Sequence, residues 1–236
     1  MNHWKKTELK QDLGRNKMGD ILDVISSRRS IRRYKPDPIP DEMIDKILEA
    51  ARWAPSGENE QPWKLIVVKD PKTRNEIGQL GKVGTGQRVT AEYCLGKIRP
   101  RFEGIKDLEE KERVMKFVYT GEASLFPAKA PVVIVVVGSL EEMFDTPYDL
   151  SACIENMLLE AHSLGLGACW VHAPAVYPRI VKRLKELLKI PTGMGDYKVL
   201  AILSFGWPES PRRYPRPRKP LEEIVYWEEF GRKERS

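Results

Sequence analysis

The sequence has few of the residues that build disulfide or metal sites. Its three cysteines, Cys94, Cys153 and Cys169, are an odd number and form no Cys-x-x-Cys pair. Paired cysteines are typical of disulfide frameworks and zinc sites, so neither is expected here. The three histidines also lack the spacing of metal ligands. We therefore expect no bound metal ion.

The chain also lacks the motifs of two common enzyme classes. No Gly-x-Ser-x-Gly nucleophile elbow is present. Gly84-Thr85-Gly86 and Gly165-Leu166-Gly167 both lack the third glycine of the dinucleotide-binding G-x-G-x-x-G pattern. The sequence therefore predicts neither a hydrolase of the nucleophile-elbow type nor a Rossmann-type nicotinamide site.

Long apolar runs are missing as well. The longest extends from Ala130 to Gly138, whereas a membrane-spanning helix needs roughly 20 residues. The first residues, Met1-Asn2-His3-Trp4-Lys5-Lys6, contain no apolar segment of a secretory signal. We expect a cytoplasmic protein with no membrane partner.

The charge of the chain is mixed. Of 236 residues, 40 are basic and 34 acidic, which gives a net charge of +6. Nucleic-acid binders usually concentrate positive charge on one face, so this mixture does not favour a nucleic-acid partner. Two local basic excesses stand out, at 28–33 and 212–219.

The first basic excess belongs to the segment Ser27–Tyr34, here called the arginine segment, which holds four arginines within eight residues. Guanidinium groups are planar forks that match phosphate oxygens. In an extended chain Arg28, Ser30 and Arg32 lie on one side, where they can bind one anion together. The residues alone leave a solvated basic turn, or a non-specific nucleic-acid patch, open as alternatives.

Hydrophobic periodicity predicts alternating helices and strands. The order lacks a regular strand–helix–strand rhythm, which favours an α+β fold with helices around a small sheet. Helices are predicted over 18–27, from Asp41 to about residue 53, from about Pro71, over 148–164 and over 179–188. Strands are predicted over 63–68, 130–137, 168–172 and 199–205. The run at 63–68 has the pattern of a buried strand, and the runs at 130–137 and 199–205 predict central strands, the first because it is apolar on both faces. In the helix from Asp41, an apolar stripe contains Ile44, Ile47, Leu48 and Ala51.

Three regions are less regular. Residues 1–17 are polar and predict an N-terminal arm before one domain that covers 18–236. Residues 81–125 carry glycines and charges with a helical pattern only near 113–119, which is typical of a lid or insertion. Residues 211–236 form a C-terminal extension whose aromatic side chains are expected to pack on another surface.

The residues thus suit anion binding better than hydrolysis or metal chemistry. This pattern fits an enzyme whose chemistry resides in a phosphate-bearing cofactor, while the protein supplies position and electrostatics.

Five motifs in order resemble the FMN-dependent nitroreductase superfamily. They are Arg28–Tyr34, Ala51–Trp63, Gly165–Trp170, Gly206-Trp207-Pro208 and Arg218–Leu221. The resemblance implies an α+β nitroreductase-like fold with a mostly antiparallel sheet flanked by helices. It also implies an intertwined homodimer with FMN at the interface, where both chains contribute to each site.

The resemblance further implies which residues hold the cofactor. The arginine segment and a second basic pair would grip the phosphate, a Pro-Ser-Gly turn from the partner subunit would line the flavin edge, and a later strand would run along the ring. In this sequence the implied residues are Arg28, Arg29, Ser30, Arg32, Pro55, Ser56, Gly57, Asn59, Trp170, Val171, His172, Ala173, Arg216 and Arg218.

The implied activity is reduction of nitroaromatic compounds, quinones or similar small acceptors with NADH or NADPH. Hydride would pass through flavin N5 in a ping-pong sequence, and no side chain would act as a catalytic acid or base. A reductive dehalogenase is the alternative within the superfamily. That branch uses a lid Glu and Tyr four residues apart, and neither Tyr93 nor Tyr119 has a Glu four positions earlier.

Overall fold

The computed structural model describes residues 21–139, 146–193, 197–210 and 217–235. In these ranges four strands form one sheet in the order β1-β2-β4-β3. All three neighbouring pairs are antiparallel, so the predicted α+β class with an antiparallel sheet is confirmed. The strands are β1 (Trp63–Val68), β2 (Val132–Ser139), β3 (Gly167–Val171) and β4 (Tyr197–Gly206).

Helices cover both faces of the sheet, and short 3-10 turns join several of them. The predicted helices are present within a few residues of their expected ends, while the predicted arm at 1–17 lies outside the described residues. The helices of the described ranges are α1 (Ile21–Ser27), α2 (Asp41–Arg52), α3 (Pro71–Cys94), α4 (Leu108–Tyr119), α5 (Thr146–Ser163), α6 (Pro178–Leu188) and α7 (Leu221–Ile224).

Strand β2 separates two hydrophobic cores. Because successive side chains of a strand point to opposite faces, Val132, Ile134 and Val136 pack in the core that contains α2 and α5. The residues between them, with Val137, pack in the core that contains α3 and α6. The predicted central strands β2 and β4 are therefore buried on both faces.

Strand β1 differs from its prediction as a buried strand. It pairs with β2 alone among the described strands. Its end residues Trp63 and Val68 are buried, but the residues between them are partly or fully exposed. A segment of six residues, five of them apolar, therefore forms an edge strand among the described strands.

Helix α3 is longer than the sequence pattern indicates, because it continues through Gly81, Gly84 and Gly86 to Cys94. Glycine normally weakens a helix interior, but here it permits close packing. A Cβ at Gly78 would lie 2.6 Å from Cβ of Ala128, and one at Gly84 would lie 2.6 Å from the carbonyl oxygen of Ala173. The role of residues 81–125 as a lid stays a prediction.

This region also has a small core of its own. Val89, Ile98 and Phe102 are buried together, apart from the two cores on the sheet. In the described part of the chain, no helix has the length and apolar character needed to span a membrane.

The described part of the C-terminal extension, 217–235, is not buried on the chain that carries it. Every described residue from 217 to 235 is exposed or half-buried. The exposed fractions of Leu221, Ile224 and Phe230 are 69%, 57% and 90%. The surface on which these side chains were expected to pack is therefore not provided by the described part of this chain.

Candidate functional site

The arginine segment runs beside the edge strand β3. Ser30 forms a parallel bridge with Ala168, and the Ile31 amide donates to the Ala168 carbonyl at 2.9 Å. Gly167 permits this approach, since a Cβ there would lie 2.7 Å from the Ile31 side chain. The sheet therefore fixes the middle of the segment.

The end of the segment is fixed by Tyr34. Its hydroxyl donates to the Ile31 carbonyl at 2.5 Å and lies 2.7 Å from Oγ of Ser204 on β4. Burial raises the pKa of the Tyr34 hydroxyl, so the phenol stays neutral and acts as a hydrogen-bonding group. The Lys35 amide then donates to the Trp207 carbonyl at 2.8 Å.

Arg28, the second residue of the arginine segment, lies beside α5. Its Nη2 lies 3.2 Å from Oε1 of Glu155. In the described part of the chain, Nε of Arg28 is buried and has no hydrogen-bond acceptor. A buried N–H without an acceptor carries the cost of its desolvation, and a phosphate oxygen would remove that cost. The arginine segment therefore fits an anionic group at this position.

A second contact with α5 lies one residue earlier. Oγ of Ser27 is 2.8 Å from Nε2 of His162. Partial burial and the positive charges of Arg28 and Arg29 lower the pKa of His162. The imidazole is therefore kept neutral beside two guanidinium groups.

Arg29 and Arg32, two further arginines of the arginine segment, have different neighbours from Arg28. Nη1 of Arg29 donates to the Ser26 carbonyl at 2.6 Å and to the Arg28 carbonyl at 2.7 Å. Ser26 lies in the last turn of α1, and Arg28 follows the end of that helix. The guanidinium carbon of Arg32 lies 5.7 Å from the centroid of the Phe126 ring. Arg28 and Arg32 thus contact different elements, and their joint action on one anion stays a prediction.

The Pro-Ser-Gly turn has an unusual backbone. Glu58, Asn59 and Gln61 have φ angles of 48°, 61° and 51°, in the left-handed region that costs non-glycine residues about 1–3 kcal/mol each. Strain of this kind persists when neighbouring contacts hold the backbone. It is often found at functional sites.

Hydrogen bonds supply that restraint. Oγ of Ser56 accepts from the Gln61 amide at 3.0 Å, and Asp149 at the start of α5 accepts from the Gly57 amide at 3.3 Å. Pro55, Gly57 and Asn59 are exposed. The turn is thus held by one hydrogen bond within itself and one from α5, while these three residues stay exposed.

The segment after β3 places one imidazole at the surface. His172 is exposed and its Nδ1 lies 3.2 Å from the Leu200 carbonyl, beside the irregularity in register where β2 meets β4. Val171 and Ala173 are buried, and Trp170 is half-buried. The carbonyl of Ala173 faces Gly84 of α3, so this segment is packed from behind.

The second basic pair is only partly described. Arg216 lies outside the described residues. Arg218 is exposed, and its Nη1 donates to the carbonyl of its neighbour Pro217 at 3.3 Å. The predicted meeting of Arg218 with the arginine segment stays a prediction.

Sequence reasoning missed three supporting acidic and imidazole groups: Asp149, Glu155 and His162. All three lie on α5. Glu155 and His162 are seven residues apart, about two helical turns, so both lie on one face of α5. That spacing was readable in the sequence, but the partner segment that faces it was not.

Comparison with known proteins identifies one family. Residues 25–207 match the sequence model of the Nitroreductase family. A protein of Archaeoglobus fulgidus named as an NADH dehydrogenase/NAD(P)H nitroreductase is 32% identical over 204 residues, which cover 84% of this chain and 90% of that protein. Iodotyrosine deiodinase 1 of Rattus norvegicus is 39% identical over 209 residues, which cover 87% of this chain and 68% of that protein.

Solved structures give the same fold. An NADH oxidase structure from Clostridium acetobutylicum has a TM-score of 0.64 at 27% identity, with 88% of this chain and 100% of that chain covered. A nitroreductase structure in complex with FMN from Desulfovibrio desulfuricans has a TM-score of 0.61 at 26% identity, with 91% and 99% covered.

Proposed function

The chain belongs to the nitroreductase family and is an FMN-dependent oxidoreductase, and from that premise we propose that it reduces nitroaromatic compounds, quinones or similar small acceptors with NADH or NADPH. The observation that carries the proposal is the buried Nε of Arg28, which has no acceptor in the described chain. A phosphate oxygen supplies the acceptor that this nitrogen lacks.

The residues that would hold FMN lie in the arginine segment, in the basic pair, in the Pro-Ser-Gly turn, and at the end of β3 and just after it. Arg28, Ser30 and Arg32 would bind the phosphate, and Arg29 would contact the ring or the ribityl chain. Arg216 and Arg218 would bind the phosphate from a second direction. Trp170, Val171, His172 and Ala173 would lie along the ring. Pro55, Ser56, Gly57 and Asn59 of the partner subunit would border its edge.

A homodimer is part of this proposal. Helix α1 has no buried residue, and the exposed fractions of Ile21, Leu22 and Ile25 are 75%, 66% and 49%. The C-terminal extension exposes further large apolar side chains. Contiguous exposed apolar side chains are typical of protein interfaces, so both surfaces are suited to a second copy of this chain.

The bound flavin would supply the redox chemistry, namely hydride exchange at N5 with NADH or NADPH and then with the acceptor. The chain contributes position and charge. Backbone donors and positive charge near the N1–O2 edge of the ring would stabilise the reduced anionic flavin, which is a preorganised electrostatic effect. No side chain needs to act as a general acid or base.

Residues 81–125 would act as the lid that selects the acceptor. They have a small core of their own around Val89, Ile98 and Phe102. Lys82 forms an ion pair with Glu122, and Thr85 Oγ1 donates to Ser124 Oγ at 2.7 Å. These contacts join the two ends of the lid, on either side of that core.

Spectroscopy and kinetics test the activity. The purified protein should be yellow with flavin absorption bands, and NADH or NADPH should bleach it without oxygen. Adding a quinone should restore the colour, and initial rates should give the parallel double-reciprocal lines of a ping-pong reaction. A colourless protein that does not bind added FMN would contradict the proposal.

Reductive dehalogenation is the second candidate, because a rat iodotyrosine deiodinase is 39% identical to this chain. The two functions differ in which oxidant accepts electrons from the reduced protein. Protein reduced with dithionite should be reoxidised faster by a nitroaromatic compound or a quinone than by 3-iodotyrosine, with tyrosine as the control. Faster reoxidation by 3-iodotyrosine, with release of iodide, would favour the dehalogenase.

A further inference from the structure

We infer that His162 and Glu155 are positioning residues that hold Ser27 and Arg28 on α5, so that Arg28 is presented to the phosphate of FMN. This inference rests on the proposed function, since it concerns how the same anion site is built. It assigns a role to two side chains that would not themselves contact the cofactor.

The start of the arginine segment needs such support. It follows α1, which has no buried residue and therefore gains little from apolar packing on this chain. The middle and the end of the segment are fixed by Ala168 and by Tyr34. Without a further contact, Arg28 would be restrained only by the bond from its amide to the Val24 carbonyl of α1, at 3.1 Å.

Helix α5 supplies the contact from a rigid base. Its opposite face is fully buried in the core, at Cys153, Ile154, Met157 and Ala161. Glu155 and His162 project from the face toward α1, at 3.2 Å from Arg28 and 2.8 Å from Ser27. Two contacts two turns apart fix both the position and the direction of the segment.

The hydrogen positions follow from the partners. Ser27 Oγ lies 2.5 Å from the Asp23 carbonyl, which can only accept, so the hydroxyl proton points there. The same oxygen therefore accepts a hydrogen bond from Nε2–H of His162. A neutral imidazole protonated on Nε2 satisfies this arrangement, and a glutamine side chain offers a similar N–H donor.

Glu155 orients the guanidinium. The carboxylate is paired with Nη2 of Arg28, and because a guanidinium is a rigid planar fork, one ion pair limits the direction of its other N–H groups. The buried Nε then keeps its hydrogen for another acceptor. Glu155 thus leaves one donor of Arg28 available.

The test compares FMN with riboflavin, which lacks the phosphate. Dissociation constants are measured from the quenching of flavin fluorescence by the apoprotein. His162→Leu and Ser27→Ala should each weaken FMN binding by about 3- to 10-fold, the scale of one hydrogen bond. Both should leave riboflavin affinity unchanged, and His162→Gln should restore FMN affinity.

Matched controls separate positioning from folding. Ser163→Ala removes a hydroxyl whose partners, at Glu160, lie in its own helix, so it should change neither affinity. Ser27→Ala and His162→Leu remove the same contact, so their effects should not add. The double variant should therefore bind FMN about as tightly as the single variant with the lower affinity. Circular dichroism checks that each variant is folded. If His162→Leu does not fold, Ser27→Ala tests the same contact, because Ser27 is exposed and its replacement disturbs less packing.

The outcomes distinguish the two proposals. A wild-type protein that does not bind FMN would overturn both. Wild-type FMN binding that is unchanged in His162→Leu and Ser27→Ala would overturn the positioning role and leave the proposed function standing. An equal loss of FMN and riboflavin affinity would also overturn it, because the defect would then not concern the phosphate.

Discussion

The hydroxyl of Tyr34 lies 2.7 Å from Oγ of Ser204, a residue 170 positions later on the central strand β4. It also donates to the carbonyl of Ile31, inside the arginine segment. The Tyr34 hydroxyl therefore joins the C-terminal part of the arginine segment to a buried residue of the sheet. The geometry of the site depends on the packing of the core.

Replacing Tyr34 with phenylalanine should destabilise the protein by about 1–3 kcal/mol, because it removes the hydrogen bonds that the buried hydroxyl makes with the Ile31 carbonyl and with Oγ of Ser204. Urea unfolding at neutral pH measures this change in the free energy of unfolding. Tyr119→Phe is the control, since Tyr119 is 48% exposed and should change the free energy by less than about 0.5 kcal/mol. Equal effects of the two substitutions would contradict a structural role for the Tyr34 hydroxyl.

The elements that were predicted well are those whose burial follows a simple period. In α2 three residues of the predicted stripe, Ile44, Ile47 and Ala51, are buried, and the fourth, Leu48, is half-buried. In β2 the continuous apolar run predicts burial on both faces, which the structure confirms. In both cases the period of the secondary structure matches the geometry of the face that is covered.

The parts that were predicted poorly depend on contacts between distant residues. The glycines of α3 resemble loop residues in the sequence, because the backbone that they approach, at Ala128 and Ala173, lies far along the chain. His162 likewise gave no signal, because its partner Ser27 is 135 residues away. Local periodicity contains no information on such pairs.

Gly84→Ala should destabilise the protein although alanine is the better helix former. A Cβ there would lie 2.6 Å from the Ala173 carbonyl oxygen, a backbone atom that cannot move aside without shifting the segment after β3. Overpacking costs about 1–3 kcal/mol, which exceeds the gain of about 1 kcal/mol in helix propensity. Urea unfolding should therefore show a lower midpoint.

Gly104→Ala is the matched control for this substitution, since no atom lies within 4 Å of a Cβ at that position. It should leave stability unchanged or raise it slightly. A stabilising Gly84→Ala would show that α3 does not approach Ala173 as closely as described.

The stability of the apoprotein should fall as the pH is lowered through the ordinary pKa of histidine, near 6.5. The pKa of His162 is lowered in the folded state by burial, Arg28 and Arg29, so the unfolded chain binds the proton first. Thermal unfolding at pH 7.5 and pH 5.5 measures the effect. His162→Gln should reduce the difference between the two values, and an unchanged difference in this variant would contradict the contribution of His162.

Arg28→Ala and Arg32→Ala should each weaken FMN retention by about 1.5–3 kcal/mol, the scale of a hydrogen bond to a charged group. Equilibrium dialysis measures the affinity. Arg33→Ala is the control, because Arg33 is exposed and its carbonyl bond to the Glu209 amide does not involve the side chain. Unchanged FMN occupancy in both test variants would place the phosphate elsewhere.

Mixed dimers test whether Arg28 and Arg218 reach one site from different subunits. Arg218 is exposed on an extension that is not buried on its own chain, which suits a reach to a second copy. When an Arg28→Ala subunit pairs with an Arg218→Ala subunit, one site carries both defects and the other carries neither. Such a dimer, purified with two affinity tags, should bind one FMN with wild-type affinity, while both variant homodimers bind weakly. If both arginines act within one subunit, each site of the mixed dimer carries one defect and no site binds FMN tightly. If the Arg218→Ala homodimer binds FMN with wild-type affinity, Arg218 does not belong to the site.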